Sequence, residues 1–550
     1  MTPPQLLLGP LLRYVGERDA TVWVETDRPC DVDVLGCSAR TFTASGHHFA
    51  LVVVDGLEPG TTNPYSVALD GHVVWPEAGN AATESTIRTQ GGDHPLRIAF
   101  GSCRVAAPHA APWSLTKDEH EEGREIDALL ALAVRMRASD PSDWPDLLVL
   151  LGDQVYADQV SPATKRYIES RTADRNGAPL SDVADFEEYC HLYWEAWRTP
   201  LMRWLLSTVP TTMIFDDHDV HDDWNTSDVW VRQIRKQPWW RERIIGAYSS
   251  YWIYQHIGNL SPADLRDDEI YPQVAAAADA TEILREFAIR AEREPSASRW
   301  SFRRDLGSTR LVVADSRAGR VLEPGRRDML DEAEWQWLEA QCTGDVDHLL
   351  IGTSLPFLLA PGMHHLEAWD EAVAGGVWGS LAARVAESLR QGLDLEHWAA
   401  FERSFRRLTG LLTEVACGRR GRAPSSIVLL SGDVHHAYVA EATLPDPDVQ
   451  SVVAQLTCSP FRNPLSTRER RAVKLAQSPP VTALCRFLAR RAGVEAPQIG
   501  WEISDGPWFD NQIGELTIEG RRLHVTLAKS PPGDPASPRL DAVLERTLTR

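Results

Sequence analysis

The sequence predicts an α/β domain preceded by a small all-β domain, and three observations lead to this prediction. Residues 1–92 contain short alternating runs and turn signals without a long helical pattern. From Leu96 onward, apolar runs alternate with long helical stretches. Several of these runs end in Cys, Asp or His, the position at which α/β sheets carry their chemistry. A chain of 550 residues is also long enough for two domains.

The first domain has the pattern of a β-sandwich. Residues 21–26 alternate, residues 49–54 are apolar, and an Asp70-Gly71 turn separates two further strands. Residues 56–65 resemble a turn of fibronectin-type sandwiches. This domain contains no cluster of catalytic residue types, and Gly91-Gly92-Asp93 is typical of a linker. We therefore expect a β-sandwich over residues 1–92 and a second domain over residues 93–550.

The second domain alternates strands and helices. Its strand-like runs are residues 96–100, 147–151, 211–215, 311–314, 348–352 and 427–430. Helical spacing of apolar residues covers residues 125–137, 274–290 and 329–341. This order indicates an α/β core, and residues 514–527 predict a closing hairpin around Glu519-Gly520.

Charge and composition argue against several classes of function. A net charge of -22 argues against a groove that follows a long nucleic acid, because such binding requires clustered Lys and Arg. The eight cysteines are scattered without a CxxC pair, which favours a reducing compartment. The N-terminus lacks signal-peptide features, and no run approaches the roughly 20 apolar residues that span a bilayer. We expect a cytoplasmic protein without a membrane partner, and the sequence leaves its oligomeric state open.

Residues 147–158 form the central motif of the sequence. A wholly apolar run stops at Gly152, and Asp153, Tyr156 and Asp158 follow. A strand buried on both faces places such residues at its carboxyl end. Three further strand ends share this design: Gly101-Ser-Cys103, Asp216-Asp-His-Asp219 and Gly432-Asp-Val-His435. One such motif alone is compatible with a structural role, whereas four on successive strands of one sheet favour a metal site.

The order and spacing of these motifs resemble the calcineurin-like metallophosphoesterase superfamily, whose strand ends carry D-x-H, G-D-x-x-D, G-N-H-[DE] and G-H-x-H. This chain departs from that signature at Cys103, at Tyr156 and in residues 216–219. At these positions it is similar to the alkaline phosphatase D (PhoD-like) family. Residues 315–320, 334–338 and 369–370 also match, so the resemblance covers most of residues 96–460. It implies a four-layer α/β/β/α metallophosphoesterase sandwich behind a small fibronectin-like β-sandwich.

The resemblance implies two adjacent metal ions bridged by Asp153. The first ion would be held by Cys103, Tyr156 and His435, and the second by Asp217 and Asp433. A thiolate, a phenolate and an imidazole suit Fe³⁺, and a carboxylate set suits Ca²⁺, with Mg²⁺ or Mn²⁺ as alternatives. The superfamily usually has an imidazole near the position of Thr353-Ser354. This chain has none there, which favours calcium.

The resemblance also implies roles in the reaction. The two ions would activate a water or hydroxide that attacks the phosphorus of a small phosphate ester. His218 would act at the leaving oxygen, Asp219 would orient its ring, and Arg104 would clamp the phosphoryl oxygens. Asp158 is expected to be a loop carboxylate. The remaining candidates for substrate contact are Arg317, for which a structural ion pair is an equal alternative, and His364, His365 and Arg462.

The sequence therefore predicts metal-dependent hydrolysis of phosphate esters of the alkaline phosphatase or phosphodiesterase type. Two alternatives stay open. One is a phosphodiesterase specific for lipid-like substrates, and the other is a protein that keeps the fold and binds without turnover. The presence of every expected ligand type favours an enzyme.

Overall fold

The computed structural model describes residues 2–77, 84–92 and 94–548, so Asp93 of the expected linker lies outside the described residues. The strands are β1 (Leu6–Val15), β2 (Ala20–Thr26), β3 (Asp31–Val34), β4 (Cys37–Arg40), β5 (Phe42–Ala44), β6 (His47–Val54), β7 (Thr62–Tyr65), β8 (Val67–Leu69), β9 (His72–Trp75), β10 (Ser85–Arg88), β11 (Leu96–Gly101), β12 (Leu147–Leu151), β13 (Thr211–Ile214), β14 (Phe302–Leu306), β15 (Thr309–Ala314), β16 (His348–Thr353), β17 (Ser426–Ser431), β18 (Ala437–Thr443), β19 (Val452–Thr457), β20 (Gly500–Trp508), β21 (Asn511–Glu519), β22 (Arg522–Ser530) and β23 (Asp541–Thr547). The helices are α1 (Ala128–Ala138), α2 (Pro162–Ser170), α3 (Phe186–Trp197), α4 (Pro200–Thr208), α5 (Asp228–Ile234), α6 (Trp240–Tyr251), α7 (Pro262–Asp267), α8 (Tyr271–Ala276), α9 (Thr281–Arg293), α10 (Glu332–Gln341), α11 (Pro361–Ala374), α12 (Ser380–Gly392), α13 (Glu402–Ala416), α14 (Thr467–Ala476) and α15 (Pro479–Arg491).

The N-terminal strands form the predicted β-sandwich. One sheet has the order β1-β2-β6-β5, a second has the order β4-β3-β8-β9, and β10 pairs with β7. The predicted hairpin is β8–β9, and its turn residues Asp70 and Gly71 have φ of 47° and 79°, as a tight hairpin turn requires. Alternating valines of the facing strands, among them Val22, Val32 and Val52, fill the space between the sheets.

The second part of the chain contains two large mixed sheets. The first has the order β13-β12-β11-β21-β22-β23, and the second β14-β15-β16-β17-β19-β18-β20. Strands β11, β12 and β13 are parallel, and the predicted closing hairpin is the antiparallel pair β21–β22. One expectation is corrected here. The four motif-bearing strands do not belong to one sheet, because β11–β13 lie in the first sheet and β17 in the second.

The two sheets pack face to face, and helices cover their outer faces. The backbone of β16 approaches β12 so closely that a Cβ placed on Gly352 would lie 3.2 Å from Leu151 Cδ2. Helix α1 joins the core on the side of the first sheet. Helices α10 and α13 pack on the second sheet through Trp335, Phe405 and Leu412. This is the expected four-layer α/β/β/α order, and it brings the carboxyl ends of both sets of parallel strands to one edge.

The helix predicted over residues 274–290 is interrupted. Helix α8 ends at Ala276, and α9 begins only at Thr281. Asp279 Oδ1 accepts a hydrogen bond from the Thr281 backbone N–H at 2.9 Å and forms a local turn directly before the new helix. A local bond between side chain and backbone thus competes with the helix propensity of the alanine-rich stretch.

All eight cysteines are free thiols. Among the described residues, no helix combines the length and the apolar character that crossing a bilayer demands.

Candidate metal centre

The candidate centre is built from loops that leave the carboxyl ends of β11, β12, β13 and β17. Four of its residues, Cys103, Asp153, Asp433 and His435, have φ between 51° and 66°. This left-handed region costs free energy for residues other than glycine, and it concentrates at functional sites. Backbone contacts between the loops hold the conformation. The Cys103 N–H donates to the Gly152 carbonyl at 3.2 Å, and the Asp433 N–H donates to Ser102 Oγ at 3.0 Å.

The first cluster contains Cys103, Asp153 and His435, whose potential ligand atoms all lie within 4.8 Å of one another. Cys103 Sγ lies 3.3 Å from Asp153 Oδ2, and the Tyr156 hydroxyl lies 3.4 Å from the same oxygen. The other oxygen, Asp153 Oδ1, is buried and has no hydrogen-bond partner among the described residues. The structure therefore brings the four predicted ligands of the first ion together around the Asp153 carboxylate.

A second cluster adjoins the first. Asp216, Asp217 and Asp433 offer ligand atoms within 4.8 Å of one another, and so do Asp153, Asp217 and His218. Asp153 thus belongs both to the cluster with Cys103 and to one with Asp217. This is the position that a ligand shared by two ions must have.

Burial and crowding perturb the acids of the centre. Burial raises the pKa of Asp153, and the neighbouring carboxylates of Asp217 and Asp216 raise it further. Burial and the charge of Asp153 likewise raise the pKa of the Cys103 thiol and of the Tyr156 hydroxyl. A bound cation favours the charged form of each of these groups. The donor set and its electrostatics therefore fit metal ions.

His218 is held by Asp158, not by Asp219. The His218 Nδ1 lies 2.9 Å from Asp158 Oδ1. Burial would lower the pKa of His218, but the charges of Asp158 and Asp217 outweigh burial and raise it well above its usual value. Burial would raise the pKa of Asp158, but His218 lowers it to about 2. Asp158, expected to be a loop carboxylate, is thus the hydrogen-bond partner of His218.

Asp219 has a different task from the one expected. Its Oδ2 accepts hydrogen bonds from the backbone N–H groups of Asp153 and Asp216, both at 2.9 Å. Its Oδ1 accepts from the Val155 N–H at 3.3 Å and from Gln255 Nε2 at 3.2 Å. The prediction that Asp219 orients the His218 ring is therefore wrong. Asp219 fixes the loops after β12 and β13 relative to each other.

Two of the arginines that were predicted to bind phosphate form hydrogen bonds with other groups of the protein. Arg104 is buried, donates through Nε to Asp127 Oδ2 at 2.9 Å and donates through Nη1 to the Ala196 carbonyl at 2.8 Å. Arg462 is buried and donates to the carbonyls of Ala107 and Pro108. Both expectations are corrected, because these guanidinium groups form hydrogen bonds that hold loops in place.

Arg317 lies within the acidic cluster. It forms buried ion pairs with Asp216 and Glu396, and its Nη2 lies 3.3 Å from Asp217 Oδ1 and 3.6 Å from Asp433 Oδ1. Of the two alternatives for Arg317, the structure shows the ion pair. Its charge partly offsets the repulsion between the carboxylates.

Neither predicted substrate-contacting histidine contacts the two clusters in the part of the chain that the structure describes. The His364 ring is buried, with its centroid 4.8 Å from the rings of both Phe405 and Trp501. His365 accepts a hydrogen bond from Arg486 Nε at 3.2 Å on the exposed side of α11. Both expectations are corrected, because these side chains are used in packing and in a surface contact.

Sequence reasoning missed His397. Its Nε2 lies 2.9 Å from Asp433 Oδ2, and its Nδ1 lies 2.6 Å from Glu367 Oε1. An imidazole thus reaches the second cluster although residues 353–354 carry none. It comes from the segment between α12 and α13, where no strand precedes it. A search for polar residues at the ends of strands therefore could not find it. The only signal available was a Glu396-His397 pair flanked by the apolar residues Leu395 and Trp398.

Two family models match the chain. The model of the PhoD-like phosphatases matches residues 133–485, and a model of a domain of unknown function, DUF7800, matches residues 3–87. No curated protein gives a significant match.

The solved structures that are similar to the chain include those of PhoD and of a purple acid phosphatase. The structure of PhoD has 13% sequence identity and a TM-score of 0.59, covering 100% of this chain and 91% of that chain. The purple acid phosphatase PPD1 from seeds of yellow lupin (Lupinus luteus) has 12% identity and a TM-score of 0.49, covering 100% of this chain and 74% of that chain. The first likeness supports the fold described above.

Proposed function

Because the chain belongs to the PhoD-like phosphatase family, and so to the metal-dependent phosphoric ester hydrolases, we propose that it hydrolyses small phosphate esters at a centre of two metal ions. The observation that carries this proposal is the place of Asp153. This buried carboxylate is shared between the cluster of Cys103 and His435 and the cluster of Asp217, and one of its oxygens accepts no hydrogen bond from any described residue.

The ligand sets support two different ions. We assign Cys103, Tyr156, His435 and Asp153 to the first ion, and a thiolate, a phenolate and an imidazole favour Fe³⁺ there. Asp217, Asp433 and the shared Asp153 would hold the second ion, for which we propose Ca²⁺, with Mg²⁺ or Mn²⁺ as alternatives. His397 lies beside this set and keeps the Asp433 carboxylate ionised, because it lowers the pKa of Asp433 in spite of burial. When bound, such ions supply Lewis acidity and lower the pKa of a water molecule.

The side chains of the chain supply the remaining chemistry. His218, kept protonated by Asp158 and Asp217, donates a proton to the leaving oxygen of the ester. Asp158 holds His218 Nδ1 and so fixes the direction of the ring. Arg317 offsets the charge of Asp216 and Asp217, which reduces repulsion of an anionic substrate.

Turnover of p-nitrophenyl phosphate and bis(p-nitrophenyl) phosphate tests this proposal. We expect hydrolysis of at least one of these esters, and loss of hydrolysis after chelation of the metals. His218→Ala should lower kcat by about 10²- to 10⁴-fold, the usual effect of losing a general acid, without loss of metal. His72→Ala, at an exposed position of the sandwich, is the control. Full activity of the chelated protein or of His218→Ala would contradict the proposal.

A further inference from the structure

Helices α14 and α15 expose large apolar side chains. Leu475 is 65% exposed, Leu484 is 56% exposed and Phe487 is 57% exposed. Leu484 and Phe487 are three residues apart and share one side of α15, whereas Cys485 and Ala489 form its buried side. Isolated exposed apolar residues are ordinary, whereas several such residues on consecutive helices are a feature of interaction surfaces.

The same two helices are strongly basic in an acidic protein. Residues 467–491 contain seven Lys and Arg against one Glu, while the whole chain has a net charge of -22. Arg470 pairs with Glu125 at 3.4 Å. The other six basic residues form no ion pair with any described residue, and all are exposed: Arg468, Arg471, Lys474, Arg486, Arg490 and Arg491. We call these six residues, with Leu475, Leu484 and Phe487, the basic-apolar face.

Neighbouring features extend this face. The half-exposed Trp378 donates through Nε1 to the Arg491 carbonyl at 3.5 Å, and the Arg491 guanidinium lies 5.8 Å from the centre of the Phe487 ring. A cavity of about 310 Å³ beside α15 is lined by His365, Arg486 and Arg490. The acid that also lines it, Glu495, pairs with Arg406 at 2.9 Å. The cavity therefore offers positive charge to a small anionic group.

The face also adjoins the metal centre. Asn463 donates to the Tyr156 hydroxyl at 3.2 Å, and α14 begins only four residues later. A chain segment of that length spans at most about 14 Å. The first turn of α14, at one end of the basic-apolar face, therefore lies close to the centre.

We propose that the basic-apolar face docks the protein on the surface of a membrane rich in anionic lipids. Basic residues that flank exposed Leu and Phe on amphipathic helices are the combination that binds the headgroup region of such membranes. The positive charges of the face indicate which kind of partner it binds. The unpaired cations complement anionic headgroups, and the apolar side chains enter the interface without any helix that crosses the bilayer. This departs from the expectation from sequence that the protein has no membrane partner.

Flotation of the full-length protein with vesicles tests the proposal. We expect binding to vesicles of equal parts phosphatidylglycerol and phosphatidylcholine, at least tenfold weaker binding to phosphatidylcholine alone, and loss of binding at high salt. Leu484→Ser with Phe487→Ser should reduce binding several-fold. Each of Arg486→Gln and Arg490→Gln should reduce it about fivefold, since each basic residue near an anionic surface contributes a factor of that size. The matched controls are Val73→Ser and Lys236→Gln, at exposed positions on other elements.

The variants separate this proposal from the proposed function. None of the changed residues belongs to the metal centre, so hydrolysis of p-nitrophenyl phosphate should match that of the wild type, which also shows that the variants fold. Equal flotation of the variants and the controls, or equal binding to neutral vesicles, would overturn the proposal. So would a dimer in solution that the Leu484 and Phe487 changes dissociate, because a second copy would then cover the face.

Discussion

Asp158 and Asp219 show how much the role of a carboxylate depends on its exact contacts. Both follow strands of the same sheet, and both are buried or nearly so. Asp158 binds the ring of His218, while Asp219 binds backbone N–H groups of two loops. The charged hydrogen bond from His218 makes Asp158 a strong acid, with a pKa of about 2. Burial raises the pKa of Asp219 to about 7.

Replacing Asp158 should slow the reaction without removing metal. We expect Asp158→Asn to lower kcat by about 10- to 100-fold and to change KM less, because the His218 ring loses its anchor and part of its charge. Steady-state kinetics and elemental analysis of the same preparation measure both effects. Asp267→Asn, at an exposed position, is the control. An unchanged kcat would remove Asp158 from the mechanism, and loss of metal would make it a ligand.

The residues that meet in the two clusters could be predicted from the sequence, but the residues that hold them in place could not. Cys103, Asp153 and Asp217 follow within three residues of the end of an apolar run, and the end of a strand is visible in a single sequence. Asp158, Glu367 and His397 lie in irregular segments or helices and reach the centre only through contacts between distant parts of the chain. The predictions for the arginines were wrong for a related reason. Arg104 directly follows Cys103, but its buried partner Asp127 lies 23 residues away and turns the side chain from the centre.

At the scale of elements, the turn at the end of β12 positions the shared carboxylate. Gly152 has φ of 110°, and a Cβ at this position would lie 2.6 Å from Asp216 Cβ. The loops after β12 and β13 therefore approach each other more closely than any side chain would permit. This close approach places Asp153 beside Asp217, and Asp219 fixes it with its hydrogen bonds.

Gly152→Ala should damage both stability and metal binding. We expect the free energy of unfolding to fall by about 2–4 kcal/mol, from the left-handed backbone and from the clash with Asp216. Gly177→Ala is a matched control, because Gly177 has φ of 82° and nothing within 4 Å of an added Cβ. It should cost about 1 kcal/mol and leave the metal content unchanged. Urea unfolding and elemental analysis compare the two, and equal effects would contradict the account of this turn.

The strands of the fold could be predicted where they are wholly apolar. Strands β12, β16 and β17 are buried throughout, and each stands out as an apolar run. Strands β20 and β23 are half-buried at the outer parts of the two sheets, so their sequences carry no such run. The division of the motif-bearing strands between two sheets depends on pairing between distant segments, which apolar runs do not encode.

At the scale of the whole molecule, the sandwich packs onto the second part of the chain and contacts the segment that supports the candidate metal centre. Trp23 and Phe49 join the same hydrophobic core as Tyr254, with ring centroids 5.1 Å and 5.5 Å from it. The buried Arg13 donates to the Gln255 carbonyl at 2.7 Å, and the Gln255 side chain donates to Asp219. The sandwich thus supports the segment that holds the loops of the centre.

The contact between the sandwich and α3 should make stability depend on pH. His47 Nδ1 lies 2.9 Å from Glu25 Oε1, and its Nε2 lies 2.8 Å from Glu187 Oε2. Burial would lower the pKa of His47, but hydrogen bonding to Cys190, Glu187 and Glu25 raises it to about 12. The pKa of His47 is higher in the folded state than in the unfolded state. This network therefore contributes its full stabilisation of the folded state below pH 6.5. Its contribution declines by up to about 1.4 kcal/mol per pH unit as the pH rises from 6.5 toward 12.

His47→Gln should therefore lower the free energy of unfolding at pH 6 and make its decline between pH 6.5 and pH 9 shallower. Urea unfolding at several pH values measures this slope. His72→Gln, at an exposed position of the sandwich, should leave the slope unchanged. The same slope in His47→Gln and in the wild type would show that protonation of His47 does not cause the dependence of stability on pH.

Elemental analysis of the wild type and Asp153→Asn, purified side by side and assayed on p-nitrophenyl phosphate, tests the central claim most directly. We expect about two metal ions per chain in the wild type. The variant should lose metal and nearly all turnover, because one carboxylate is proposed to serve both ions. Asp174→Asn, at an exposed position, should retain both. An Asp153→Asn protein with the full metal content and full turnover would contradict the assignment of the centre.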